Sequence, residues 1–155
     1  MNLSRLELRI LPPVTFALCV LLALFLSWLI PVHFPLAVLA WFLCALCFVA
    51  SGAIGIVSLI SFWRAKTTVN PVRVDAATTL VEGGLYAFSR NPMYLAFALL
   101  LLSLCFYLAN PLTFLAVALF VAYITRFQIV PEERALEARF GERYRLYRQR
   151  VRRWI

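Results

Sequence analysis

The chain has 155 residues, of which 64% are apolar and 14% charged, and Lys and Arg outnumber Asp and Glu by 15 to 7. An apolar share well above the roughly 45–50% of soluble domains excludes a water-soluble globule, and so few charges exclude a disordered chain. A disulfide-stapled fold is excluded as well, which leaves a single membrane-embedded domain over residues 1–155 with a cationic face.

Four apolar stretches, 14–30, 36–62, 92–109 and 112–129, are predicted transmembrane helices. At about 1.5 Å per residue, runs of roughly 17–20 residues just cross a hydrocarbon core of about 30 Å. The second stretch is longer and must tilt or project beyond the lipid. The first has no small-x-small cleavage site before Pro31 and reads as a retained anchor rather than a secretory signal. In the second, Ser51 and Gly55 stand four apart, a small-residue strip that either admits another helix closely or simply faces lipid.

Cys19, Cys44, Cys47 and Cys105 all fall inside predicted spans, where a thiol behaves as a small apolar side chain. Cys44 and Cys47 have the outline of a redox or metal pair, but with no second pair and no nearby histidine they read as packing, and no metal site is expected. His33, the single histidine, lies in the turn between the first two spans.

Arg5 and Arg9 precede the first span, Arg64, Lys66, Arg73 and Arg90 lie between the second and third, and nine more basic residues run from Arg126 onward. The turns at 31–35 and 110–111 carry none. The positive-inside rule therefore places both termini and the 63–91 segment in the cytoplasm. Chemistry on that side must proceed without a histidine base. Within the segment, Asn70-Pro71 reads as a turn, and Glu82-Gly83-Gly84 is either a flexible loop or a place where backbone approaches a ligand.

The third and fourth spans form a tight hairpin about Asn110-Pro111, so residues equidistant from the turn share a depth. Ser89 to Tyr94 and Arg126 to Glu133, almost forty residues apart in sequence, should meet at the cytoplasmic boundary. Pro92 suits the first helical position and Asn91 the N-cap, giving a helix start with unpaired N–H groups beside Arg90, suited to a carboxylate. Glu132 and Glu133 bring negative charge to the opposite side. A molecule bearing both a carboxylate and a cation fits between them; the alternative is that Arg90 and the glutamates are interfacial anchors paired with each other.

In the cytoplasmic tail, 130–155, Leu136, Phe140, Tyr144, Tyr147, Val151 and Trp154 recur at helical spacing with arginines around the other faces. This basic amphipathic helix is expected to lie on the anionic inner leaflet. The aromatic stripe and the adjacent spans favour a lipid surface over nucleic acid as partner.

From about Thr79 to Val151 the chain resembles the isoprenylcysteine carboxyl methyltransferase family and the related phosphatidylethanolamine methyltransferases. The matching elements are Gly84-Leu85-Tyr86, Arg90-Asn91-Pro92-Met93-Tyr94, the Asn110-Pro111 turn, Glu132-Glu133 and Phe140-Gly141-Glu142-Arg143-Tyr144 with Tyr147. Where the carboxyl enzymes usually have His before the proline this chain has Asn91, as the phospholipid enzymes do, while the tail looks like the carboxyl enzymes. A glycine that often follows the tyrosine by two positions is Ala96 here.

The resemblance implies an all-α integral membrane enzyme of four transmembrane helices that uses S-adenosylmethionine to methylate a lipophilic acceptor, either an isoprenylcysteine-type carboxylate or a phospholipid amine. It implies a donor site of Gly84, Tyr86, Arg90, Asn91, Pro92, Tyr94, Glu132 and Glu133, with Tyr86 and Tyr94 as aromatic walls. An ionised carboxylate acceptor needs no general base, whereas an amine would call on Glu132 or Glu133. Glu133 and Arg126 are the expected catalytic residues, Arg126 positioning an anionic acceptor or else snorkelling from its helix end. A non-catalytic four-helix lipid-binding protein and a membrane reductase of the sterol type are the competing classes. No residue pattern speaks to the oligomeric state.

Overall fold

Leu, Ala and Phe dominate the apolar stretches, and prolines stand at their starts, where a missing N–H costs nothing. A computed structural model describes residues 7, 8, 10–33, 37–64 and 79–155. The expected Asn70-Pro71 turn and the basic residues Arg5, Arg9, Lys66 and Arg73 lie outside the described residues. Among the described residues the regular elements are all helical: α1 (Pro12–Leu29), α2 (Ala37–Arg64), α3 (Pro92–Leu108), α4 (Phe114–Ile124), α5 (Val130–Phe140) and α6 (Glu142–Arg150). Single 3₁₀ turns cover Gly84–Ala87 and Pro111–Thr113.

Among the described residues three stretches are long and apolar enough to cross a membrane: Pro12–Leu29, Val38–Ser61 and the continuous helical run Pro111–Phe140. The third expected span, α3, is apolar but has 17 residues, about 25 Å of helix. Bulky side chains such as Trp28, Phe42 and Val38 face outward from α1 and α2. That surface is suited to lipid and unsuited to water.

Helices α1, α3 and α4 share a core of Cys19, Ala23, Ala98, Leu101, Phe120 and Ile124. The mixture of small and large side chains lets the three axes approach closely. Helix α2 packs along α3 through the strip noted in the sequence: Ser51 Oγ donates to the Ala96 carbonyl at 2.7 Å, and a Cβ on Gly55 would lie 3.7 Å from that of Ala96. The four cysteines are free, and Cys44 sits against Ser103.

At the hairpin, Ala109 closes α3 in the left-handed region (φ 49°), and Asn110 is fully buried. Asn110 Nδ2 donates to the Ile30 carbonyl at 2.7 Å and its Oδ1 accepts from the Leu112 amide at 2.9 Å. The turn is thus tied to the end of α1 as well as reversing the chain.

The fourth helix does not stop at residue 129 as expected. It passes through a π turn over Thr125–Ile129, closed by the Val130 amide on the Thr125 carbonyl, and runs on into α5. Pro131 has no N–H to give the Phe127 carbonyl four residues back, and the Leu8 amide takes that carbonyl instead at 3.1 Å. A π turn of this kind is one of the few ways a helix carries a proline without breaking.

The tail also departs from expectation. Gly141 (φ 54°) divides it into α5 and α6. Its apolar stripe lies on protein, not on the leaflet: Tyr144, Tyr147 and Val151 are buried with Leu80, flanked by Leu136 and Phe140. The Tyr147 hydroxyl donates to the Tyr86 carbonyl at 2.7 Å, a partner lipid could not supply in fixed geometry. Arg143 and Arg150 pair with Glu82, and Arg145 and Arg148 with Glu137, so much of the arginine face is engaged within the chain.

Candidate functional site

The hairpin and the folded-back tail bring three distant segments together at the start of α3. Arg90 Nη2 lies 3.2 Å from Glu133 Oε1, and both side chains are about nine-tenths buried. Arg153, from the last residues of the chain, grips the same carboxylate with two parallel bonds, Nε to Oε1 at 2.9 Å and Nη2 to Oε2 at 2.8 Å. This forked, charge-assisted geometry fixes direction as well as distance.

The backbone repeats the arrangement. The Arg90 amide donates to the Arg152 carbonyl at 3.0 Å, and Asn91 Nδ2 donates to the Arg153 carbonyl at 2.9 Å. An isolated parallel bridge joins Ser89 to Arg152. Asn91 occupies the N-cap position of α3 as expected, but its side chain does not cap the helix; its Nδ2 donates to the tail. Its own N–H is taken by Ser89 Oγ at 3.1 Å. Pro92 is buried at the first helical position.

One helical turn further in, the Tyr94 hydroxyl donates to Glu132 Oε1 at 2.6 Å, and Gln128 Nε2 donates to the same oxygen at 2.6 Å. Gln128 and Glu132, four apart on one helix face, meet Tyr94 across the hairpin. Tyr86 is buried nearby, and its phenol is pushed well up by burial first, then by Tyr147, with Glu132 adding to it. Gly84 opens the 3₁₀ turn that carries Tyr86, with φ +63° and Ser61 Oγ 3.7 Å from where a Cβ would stand. A side chain here would be strained, which explains glycine.

Two nitrogens of Arg90, Nε and Nη1, are buried without a hydrogen-bond partner. Tyr144 packs beside this guanidinium within reach of a hydrogen bond; burial first, and then Glu133, push its phenol up to about 12, with the Arg90 charge and hydrogen bond opposing. Buried guanidinium donors without a well-formed bond are costly to leave so, and beyond the Tyr144 hydroxyl they have capacity for a further acceptor. The charges are uneven in a useful way. Arg90 and Arg153 together carry one more charge than Glu133 neutralises, the α3 N-terminus adds its partial positive charge, and Glu132 stands alongside, held by Tyr94 and Gln128 and without an arginine partner.

Of the residues expected in the site, Arg90, Asn91, Pro92, Tyr94, Glu132 and Glu133 are brought together, with Tyr86 and Gly84 adjoining. Arg126 stands apart: its Nη1 bonds Glu7 Oε1 at 2.9 Å, its side chain is 48% exposed, and it lies over the Phe127 ring. That hydrogen bond, aided by Arg134, holds the Glu7 carboxyl below the usual range. Sequence reasoning missed Arg153, Tyr144 and Gln128. Gln128 could have been found from its i, i+4 relation to Glu132, whereas nothing separates Arg153 from the run of arginines around it. Among the described residues no group of three or more His, Cys, Asp or Glu side chains is placed to hold a metal ion.

Comparison with known proteins adds an independent finding. Residues 39–143 match the family model described as phospholipid methyltransferase, a span that takes in nearly all of α2, the 3₁₀ turn at Gly84–Ala87, the α3–α4 hairpin, and Glu132 and Glu133. An uncharacterized protein of Haemophilus influenzae is 48% identical over 63 residues, the whole of that protein and 41% of this chain. No solved structure matches.

Proposed function

Because the chain belongs to the phospholipid methyltransferase family, we propose that it moves a methyl group from S-adenosylmethionine to a lipid-like acceptor at the cytoplasmic face of a membrane. The family makes it an integral membrane methyltransferase; the donor, the acceptor and the roles of individual residues are our reading. In that reading residues 1–155 form one domain, α3 crosses the membrane with α1, α2 and α4, and both termini are cytoplasmic.

The observation that carries the proposal is the buried Arg90 guanidinium, two of whose nitrogens lack a well-formed hydrogen bond, next to Glu132, a carboxyl group with no arginine partner. S-Adenosylmethionine is a zwitterion at this end, and when bound it supplies an electrophilic methyl group on a sulfonium. Arg90 and the start of α3 suit its carboxylate, and Glu132 with the faces of Tyr86 and Tyr94 suits its cation.

Glu133 is read differently from the expectation that it faces the donor or does the chemistry. Two guanidinium groups already engage both of its oxygens, so it acts as a positioning residue that aims Arg90. Glu132 is then the group free to accept a proton if the acceptor is an amine, while an ionised carboxylate needs no base. The apolar spans on either side keep water from the reacting atoms. Among lipid acceptors, an isoprenylcysteine-type carboxylate and a phospholipid amine are both compatible with these groups.

Calorimetric titration of the purified protein with S-adenosylmethionine and with its demethylated product tests the donor assignment. Saturable binding is expected, and no heat at millimolar ligand would overturn it. Mass spectrometry of lipid extracts after incubation with labelled donor identifies the acceptor.

A further inference from the structure

The π turn at Thr125–Ile129 is gripped from both ends of the chain. From the beginning, the Leu8 amide donates to the Phe127 carbonyl at 3.1 Å, and the Glu7 carboxylate pairs with Arg126 inside the turn and with Arg134 beyond it. From the end, Trp154 Nε1 donates to Thr125 Oγ1 at 3.2 Å. Among the described residues, Glu7 and Leu8 form no bond to the Arg90 cluster. Yet Gln128 lies within the turn they hold, and Glu132 follows it by three residues.

A π turn closes its hydrogen bonds five residues back instead of four, and so takes up one residue more than an α turn. Every side chain beyond it therefore points about 100° away from where an unbroken α-helix would aim it. In the observed register Glu132 meets the Tyr94 hydroxyl, and Glu133 meets Arg90 and Arg153. In an unbroken α register the same two directions fall to Pro131 and Glu132, and Tyr94 faces a proline. The surplus residue in the turn is thus what delivers a carboxyl group to Tyr94.

The grip of Glu7 is matched to that register. Arg126 and Arg134 are eight residues apart, so along an unbroken α-helix they diverge by about 80°. With one residue taken up by the π turn they fall within about 20° of one face, where a single carboxylate reaches both. Leu8 adds to this by serving the Phe127 carbonyl, which Pro131, four residues on, has no N–H to fill.

We infer that Glu7 is a positioning residue for the donor site: with the Leu8 amide it selects the π register of the fourth helix and so aims Glu132 at Tyr94. It acts through Arg126, Arg134 and the turn, not by contact with the reacting groups. The consequence for donor affinity rests on the S-adenosylmethionine reading above; the aim of Glu132 does not.

Two measurements on the full chain in detergent test this. The first uses no ligand: fluorine NMR of a chain carrying 3-fluorotyrosine at position 94 alone. Glu7→Ala is expected to move the resonance toward its position in a Glu132→Ala chain, where the Tyr94 hydroxyl has lost its acceptor. A resonance that Glu7→Ala leaves unmoved overturns the inference. The second is calorimetric titration with S-adenosylmethionine, in which Glu7→Ala should lower affinity by about threefold to tenfold, the share of the register that two partly exposed ion pairs can hold.

A compensated chain, with Phe127 removed and Pro131→Ala, closes the fourth helix as regular α-helix in the same register. There Glu7→Ala is expected to change neither the resonance nor the affinity. An equal loss in both backgrounds means that Glu7 braces the fold without setting the register, and overturns the inference. So does a compensated chain that loses its helix content or whose resonance already matches that of the Glu132→Ala chain, since the turn then holds no surplus residue. If the wild type takes up no S-adenosylmethionine while the resonance follows Glu7, the donor reading fails and the positioning of Glu132 stands.

Discussion

Arg153 and Glu133 are joined by two parallel hydrogen bonds of 2.9 and 2.8 Å, linking the last residues of the chain to the glutamate that also holds Arg90. Replacing Arg153 by Lys keeps the charge but loses the fork, so Glu133 is left to a single guanidinium. Because Arg153 is itself 37% exposed, solvent compensates part of the loss, and the expected destabilisation is about 1–2 kcal/mol. Thermal unfolding in detergent reads this, and the same substitution should weaken S-adenosylmethionine binding. Full-strength binding would show that the tail braces the fold without shaping the site.

Removing residues 152–155 takes away more, since the Arg152 and Arg153 carbonyls hold the Arg90 amide and the Asn91 side chain. The shortened chain should keep its helical circular dichroism and lose donor binding by a larger factor than Arg153→Lys. Equal losses would mean that the backbone contacts carry no weight.

Tyr94→Phe removes one of the two donors on Glu132 Oε1 while Gln128 remains. Donor affinity should fall about tenfold, the value of one hydrogen bond to a charged group, with helix content unchanged. A fall seen only in the unfolding temperature would count against Tyr94 facing the ligand.

Gly55 tests the contact between α2 and α3. A Cβ there would stand 3.7 Å from Ala96, ordinary contact distance, so Gly55→Ala should be close to neutral. Gly55→Leu must push the helices apart at a cost of about 1–3 kcal/mol. Unfolding in mixed detergent would distinguish them; similar effects from both would mean that α2 and α3 are not in contact at Gly55.

The buried tyrosines of the tail make alkaline stability predictable. Burial keeps Tyr144 neutral, raising its phenol from about 10 to about 12, and Tyr86 and Tyr147 shift in the same direction. Unfolding lets these groups ionise at their ordinary pH. Their contribution is therefore complete below about pH 10 and is lost as pH rises through the folded values. Absorbance of phenolate should lag behind exposed tyrosine and then rise together with loss of the tail's structure. Ionisation at the ordinary pH with the fold intact would contradict the packing of Tyr144.

The sequence alone determined the elements that depend on local chemistry: apolar helices from long Leu-rich runs, the α3 start from Pro92, the reversal at Asn110-Pro111, and through hairpin symmetry the meeting of Arg90 and Tyr94 with the two glutamates. Where a residue's partner is set by distance along a helix or about a turn, counting suffices. Counting did not tell Glu132 from Glu133. Neighbours in sequence point about 100° apart on a helix, and only the packed structure assigns one to Tyr94 and the other to two arginines.

The tail was beyond that logic. Its spacing of aromatics is the same whether the stripe meets lipid or protein, and the choice belongs to tertiary contacts with Leu80 and the Tyr86 carbonyl. The fourth helix similarly runs past residue 129, and it is the Leu8 amide, more than a hundred residues away in sequence, that takes the carbonyl Pro131 leaves unpaired. Periodicity identifies which face of a helix needs a partner; the three-dimensional fold supplies the partner, because desolvation and hydrogen bonding are settled between segments and not within them.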